Sequence, residues 1–141
     1  MPIDKKHTPE SMTRFGAPTL PGYLGIEVTE VDEGTLSVRL DIKPHHLAPN
    51  GFLHAGTVVT LADTAAGYGC FINLPEGANG FTTIELKSNH LGTARDGAIS
   101  CKATAVHLGK TTQVWDSVVV NEATGKTIAL FRCTQMVLYP K

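Results

Sequence analysis

Cysteine is scarce in this chain, an excess of one charge is absent, and no apolar run is clean enough to span a bilayer. The three cysteines, Cys70, Cys101 and Cys133, are odd in number and include no C-x-x-C pair, which argues against a disulfide framework and a zinc site. Each falls inside a periodic segment and reads as a small buried hydrophobe in a reducing compartment. Twelve Lys and Arg against thirteen Asp and Glu leave a formal net charge of −1. No basic field for nucleic acid or an anionic membrane is built on that balance, so an anionic ligand must be met by a local cluster of cations. The first fifteen residues are polar, without the apolar core of a signal peptide, and the longest apolar run, near residues 57–74, is broken by Asp63 and by glycines. A cytoplasmic location is expected.

What is present suits one folded domain. The 141 residues, 42 % hydrophobic and 18 % charged, suffice for a single core and not for two. Residues 1–19 are expected to be loose, with a helical turn near residues 10–14, and the domain is expected to fill 20–141. Residues 20–25 read as a turn into a first strand carrying Ile26, Val28 and Val31. Leu36, Val38, Leu40 and Ile42 alternate with polar residues as a half-buried strand does, which makes a hairpin. After a Pro-, Asn- and Gly-rich loop, residues 54–71 form the one long helix, apolar almost all round and therefore buried on most sides. Strands follow at 81–91, 98–107, 111–121 and 126–138, separated by turn signals. The order predicts an α+β fold, an antiparallel sheet of five or six strands wrapped around one helix.

The chemistry concentrates in residues 45–70. Between Asn50 and Leu74 the one formally charged side chain is Asp63. Burying an unpaired carboxylate costs several kcal/mol, so Asp63 needs either an ion pair, with Arg39, Lys87 or Arg132 as partners, or a chemical use. Helical spacing puts Gly56, Val59, Thr60, Ala66, Gly67 and Cys70 on its face. Upstream, the loop becomes helix at His54, which leaves free backbone N–H groups at Ala55 and Gly56, an anion-binding start. A helix carboxylate and a donor pair are two parts of an acyl-transfer site. About 10 Å of helix separates them, so a ligand must bridge them or a second subunit must complete the site.

This stretch resembles the active-site segment of the hotdog-fold acyl-CoA thioesterases, in particular the PaaI-like (phenylacetate-degradation) group. The pattern H-x-x-x-x-G-x-x-H-G-G followed by L-[AV]-[DE] is met here by His46, Gly51, His54, Ala55 and Gly56, then Leu61, Ala62 and Asp63. The resemblance covers roughly residues 20–139. It implies that Asp63 is the catalytic carboxylate, acting as base or nucleophile on the thioester. It also implies that the Ala55 amide polarises the carbonyl, that His54 stands near that carbonyl and the departing sulfur, and that Thr83 orients water from the next strand or subunit. Two departures stand out: Ala55 replaces the first glycine of the usual pair, and Ala48 occupies a position where many members carry Asn or Gln, a role that Asn50 is a candidate to fill. The resemblance further implies an acyl-CoA substrate, no metal or organic cofactor, and a homodimer or homotetramer with sites built from two subunits.

Other readings are weaker. The spacing of His45, His46 and His54 fits no usual metal pattern, and His45 and His46 read as solvated loop. His90, His107, Tyr68 and Trp115 read as packed side chains. Arg95, Lys110 and Lys87 are candidates for the CoA phosphates, with ordinary surface charge as the alternative for each. Two alternatives to hydrolysis are a hotdog acyl-thioester hydratase or dehydratase, pairing His54 with Asp63, and a non-catalytic acyl-CoA binding module, which Ala48 favours.

Overall fold

The computed structural model describes residues 7–141, so the first six residues of the expected loose segment lie outside the described residues. The remainder of that segment is more ordered than its composition suggests. Thr8 and Ser11 form a reciprocal capping box with Pro9 in the first turn, and start helix α1 (Pro9–Gly16). Met12 is buried from α1, and Thr13 Oγ1 accepts the Val28 N–H at 2.9 Å, which ties α1 to the first strand. The expected turn at residues 20–25 is a short helix, α2 (Leu20–Leu24), stopped by Gly25 at φ +86°.

Strands β1 (Glu27–Asp32) and β2 (Thr35–Asp41) form the expected hairpin. The long helix, α3 (Ala55–Ile72), buries Leu61, Ala62, Ala65, Ala66 and Cys70 completely. Strands β3 (Gly80–His90), β4 (Ala98–Leu108), β5 (Thr112–Asn121) and β6 (Thr127–Leu138) complete one antiparallel sheet that packs on α3. Contact is closest at Gly69, where a Cβ would stand 2.6 Å from the Trp115 ring, so only glycine lets the helix seat there.

Strand order departs from a simple meander. It runs β1-β2-β4-β5-β6-β3. The segment between β3 and β4 is a crossover and not a hairpin turn. Strand β2 pairs with β4, and β3 is carried to the far edge, where it pairs with β6 alone. No residue of β3 is buried, although Ile84 and Leu86 are large and apolar.

His46, expected in solvent, is fully buried. Its Nε2 lies 2.7 Å from the Leu24 carbonyl, and its Nδ1 accepts the Lys43 N–H at 2.9 Å, so both ring nitrogens are engaged by the neutral Nε2–H form. Burial holds its pKa below the ordinary 6.5, opposed by the Leu24 bond. Below 6.5 the unfolded chain therefore takes up the proton first, and stability contributed by neutral His46 is lost as pH falls. Thermal melts between pH 8 and pH 5 should show a decline in the wild type that His46→Gln lacks. At pH 8 the variant should be less stable by about 1–3 kcal/mol.

Candidate active site

Asp63 stands on the flank of α3 that faces β3. With Thr64, Gly67, Tyr68 and Phe71 from the helix, Phe81 and Thr83 from β3, and Phe15 from α1, it lines a cavity of about 280 Å³. Its face on the helix is rotated from the one that spacing suggested. Ala66 and Cys70 are turned into the sheet, while Thr64, Tyr68 and Phe71, spaced four and three apart, share the cavity.

None of the three expected cations reaches Asp63. Arg39 is held by Asp41 at 3.0 Å and Glu122 at 3.1 Å, and Arg132 is gripped by both oxygens of Asp116 at 2.6 and 2.9 Å. Lys87 lies on the outer face of the sheet beside Arg132. Asp63 Oδ1 is buried with no hydrogen-bond partner among the described residues, and burial holds its pKa above the ordinary 3.8. None of the three expected ion pairs forms. A carboxylate kept at this cost, with a raised proton affinity, at the wall of a cavity is equipped to take a proton.

The start of α3 is built differently from expectation. His54 is the N-cap, and its Nδ1 accepts the Gly56 N–H at 2.7 Å. Gly56 is therefore not a free donor. A Cβ there would stand 2.9 Å from His54 Nδ1, so glycine makes room for the cap. The cap also selects the Nε2–H form of His54. The donors left at this end are the Ala55 N–H and His54 Nε2–H, both on exposed residues. Neither residue lines the cavity of Asp63. Asn50 makes a local turn, its Oδ1 accepting the Phe52 N–H at 3.1 Å in an exposed loop.

Among the cationic candidates, Arg95 sits over the Phe52 ring at 4.1 Å, and the Leu53 N–H donates to the neighbouring Ala94 carbonyl. That arrangement puts Arg95 beside the start of α3. Lys110 belongs to the opposite end, in the turn next to Gln113, which bonds the C-cap residue Asn73. The three cysteines are buried and their thiols pushed up to about 12 by burial, which keeps them protonated and inert. Among the described residues no three metal-ligating side chains converge, and no helix is long and apolar enough to cross a membrane.

The aromatic wall was not legible in the sequence. Phe15 stacks on Phe71 with centroids 5.4 Å apart and planes 14° apart, and tilts against Tyr68 at 6.0 Å. Phe15 arrives from a segment expected to be loose. Tyr68 and Phe71 had a signal in their spacing with Thr64, outweighed by the apolar character of the whole helix.

A six-stranded antiparallel sheet packed on one long buried helix is the hotdog fold. Residues 50–128 match the model of the thioesterase superfamily, and the chain belongs to that family. It is a thioester hydrolase. It is 35 % identical to a 1,4-dihydroxy-2-naphthoyl-CoA hydrolase of Listeria monocytogenes, over 79 % of this chain and 89 % of that one. A crystal structure of a thioesterase from Haemophilus influenzae superposes with a TM-score of 0.90 at 27 % identity, covering 99 % of this chain and 96 % of the other. The PaaI protein of the Escherichia coli phenylacetic acid degradation operon superposes at 0.79 with 28 % identity, covering 92 % and 89 %.

Proposed function

We propose that the protein hydrolyses acyl-CoA thioesters with an aromatic acyl group, with Asp63 driving attack on the thioester carbon and no metal or organic cofactor taking part. The observation that carries this reading is the unpaired, half-buried Asp63 at the wall of a slot lined by the rings of Phe15, Tyr68, Phe71 and Phe81. Planar rings favour offset or edge contacts with another ring over contacts with a flexible chain. The Listeria relative, named for a naphthoyl-CoA substrate, supports the same acyl class.

The oxyanion donors of the reading are the Ala55 N–H and His54 Nε2–H, and Arg95 is the phosphate contact nearest to them. Because Ala55 and His54 do not line the Asp63 cavity of their own chain, the working site takes them from a second subunit. Strand β3 supports that arrangement: among the described residues its outer edge is unpaired and most of its side chains are exposed, so a second copy can extend the sheet across it. The exposed Val118, Leu130 and Met136 on the outer sheet face supply a second apolar surface for a tetramer of two dimers.

Release of free thiol from a panel of CoA esters tests the reading. Benzoyl- and naphthoyl-type esters should turn over with higher kcat/KM than straight-chain esters of similar size. Phe15→Ala should reduce kcat/KM for the aryl esters by about 3–10-fold, the worth of one ring contact, with a smaller effect on the alkyl esters. No thiol from any ester, or a preference for alkyl chains, would overturn it.

A further inference from the structure

The bond between Thr83 and Gln135 decides which way the Thr83 hydroxyl can act. Thr83 Oγ1 and Gln135 Oε1 are 2.6 Å apart. O–H···O bonds are commonly this short, whereas N–H···O bonds centre near about 2.9 Å, so the amide carbonyl faces the threonine and the hydroxyl donates. A hydroxyl carries one proton. With it committed to Gln135, Thr83 offers lone pairs alone to the cavity it shares with Asp63. It cannot stabilise a thioester oxyanion; it can accept from a water.

Gln135 is itself an unusual choice for its position. It is fully buried on the helix-facing side of β6, in register with Thr83 on β3, and its Nε2 has no hydrogen-bond partner among the described residues. Methionine would fill similar space without stranding a donor. The side-chain hydrogen bond that Gln135 does make goes to Thr83, and packing alone gives no reason to keep it.

We infer that Gln135 is a positioning residue that fixes the Thr83 hydroxyl as an acceptor for the attacking water. The inference rests on the thioesterase reading above. One hydrogen of the water bonds to the Asp63 carboxylate and the other to Thr83 Oγ1, which leaves an oxygen lone pair aimed at the thioester carbon. As the C–O bond forms, a proton passes to Asp63. The tetrahedral oxyanion then collapses, the C–S bond breaks, and the departing thiolate takes the proton from Asp63. One water and one thioester give one carboxylic acid and one thiol, and the carboxylate is restored. Gln135 acts through the orientation of Thr83 and touches no reacting atom.

The test is a double-mutant cycle on the full chain, with the CoA ester that the wild type turns over fastest. Thr83→Val should lower kcat by about 10–100-fold and Gln135→Met by about 10-fold, with KM and the affinity for a non-hydrolysable CoA thioether unchanged. The double variant should match Thr83→Val alone, because Gln135 has nothing to orient once the hydroxyl is gone. Thr83→Ser should keep most of the activity and its dependence on Gln135. If Gln135→Met does not fold, Gln135→Asn, which withdraws the carbonyl by one methylene, takes its place in the cycle. Losses that multiply in the double variant, or an unchanged kcat in Gln135→Met, would overturn the inference. An Asp63→Asn variant as active as the wild type would overturn the role of Asp63 in the proposed function, and this inference with it.

Discussion

Asparagine at position 63 should lower the turnover number by about 10²–10⁴ while leaving the protein at least as stable at neutral pH. Asn nearly matches Asp in volume, so the slot between α3 and β3 should tolerate it, but it neither accepts a proton nor attacks a carbonyl. Removing an unpaired half-buried charge also strands nothing, because Arg39 and Arg132 are satisfied by other carboxylates and Lys87 lies on the outer face. The two effects separate further with pH. Burial holds the Asp63 carboxyl above its ordinary 3.8. Between that value and the raised one, the folded state binds more protons than the unfolded state, so the wild type loses stability as pH rises through the window. Asp63→Asn lacks this loss. It should therefore melt above the wild type at pH 8, with the difference closing as pH falls toward 3.8. The rising limb of the wild-type kcat/KM profile should lie above the ordinary carboxylate range for the same reason. A variant that is destabilised yet fully active per folded molecule would make Asp63 structural.

Charging the free edge of the sheet should lower activity sharply with Asp63 itself unchanged. Ile84 is 54 % exposed and Leu86 42 % exposed on β3. Lysine at both positions would set like charges against each other wherever two copies pair across this edge. The expected result is a monomer by light scattering at micromolar concentration, and a turnover number at least about 10²-fold lower. The physical reason is distance. Ala55 precedes Asp63 by eight residues on one helix, about 12 Å of rise, and the Asp63 cavity includes neither Ala55 nor His54. A single chain thus holds a proton acceptor at one place and carbonyl-polarising donors at another. A folded monomer with wild-type turnover would mean that one chain suffices.

Much of this architecture was legible without coordinates because its signals are local. Alternation at Leu36, Val38 and Leu40 gave β2, and an apolar stretch with no proline gave α3, both within two residues of their observed ends. Asp63 stood out because it is the one formal charge in a buried helix, a contrast that needs no geometry to see. The His54, Gly56 and Asp63 pattern carried the family for the same reason, since a helix cap and a helix carboxylate are matters of spacing along the chain.

What the sequence alone determined was therefore the set of elements and the carboxylate that gives the site its chemistry. Tertiary structure decided the pairings and partners. Which strand lies beside β6 depends on a crossover that turn signals do not encode, and that crossover sends β3 to the edge and Thr83 to Asp63. Whether Asp63 has a counter-ion depends on where Arg39 and Arg132 point, and they point to carboxylates on the outer face. His46 reads as polar loop until Leu24 and Lys43 fold over it, and Phe15 belongs to a segment that reads as loose until α1 lays it on Phe71. Periodicity reports which side of an element is apolar. It cannot report which distant side chain will meet it there, because burial and hydrogen bonding are made between segments that only the closed fold brings together.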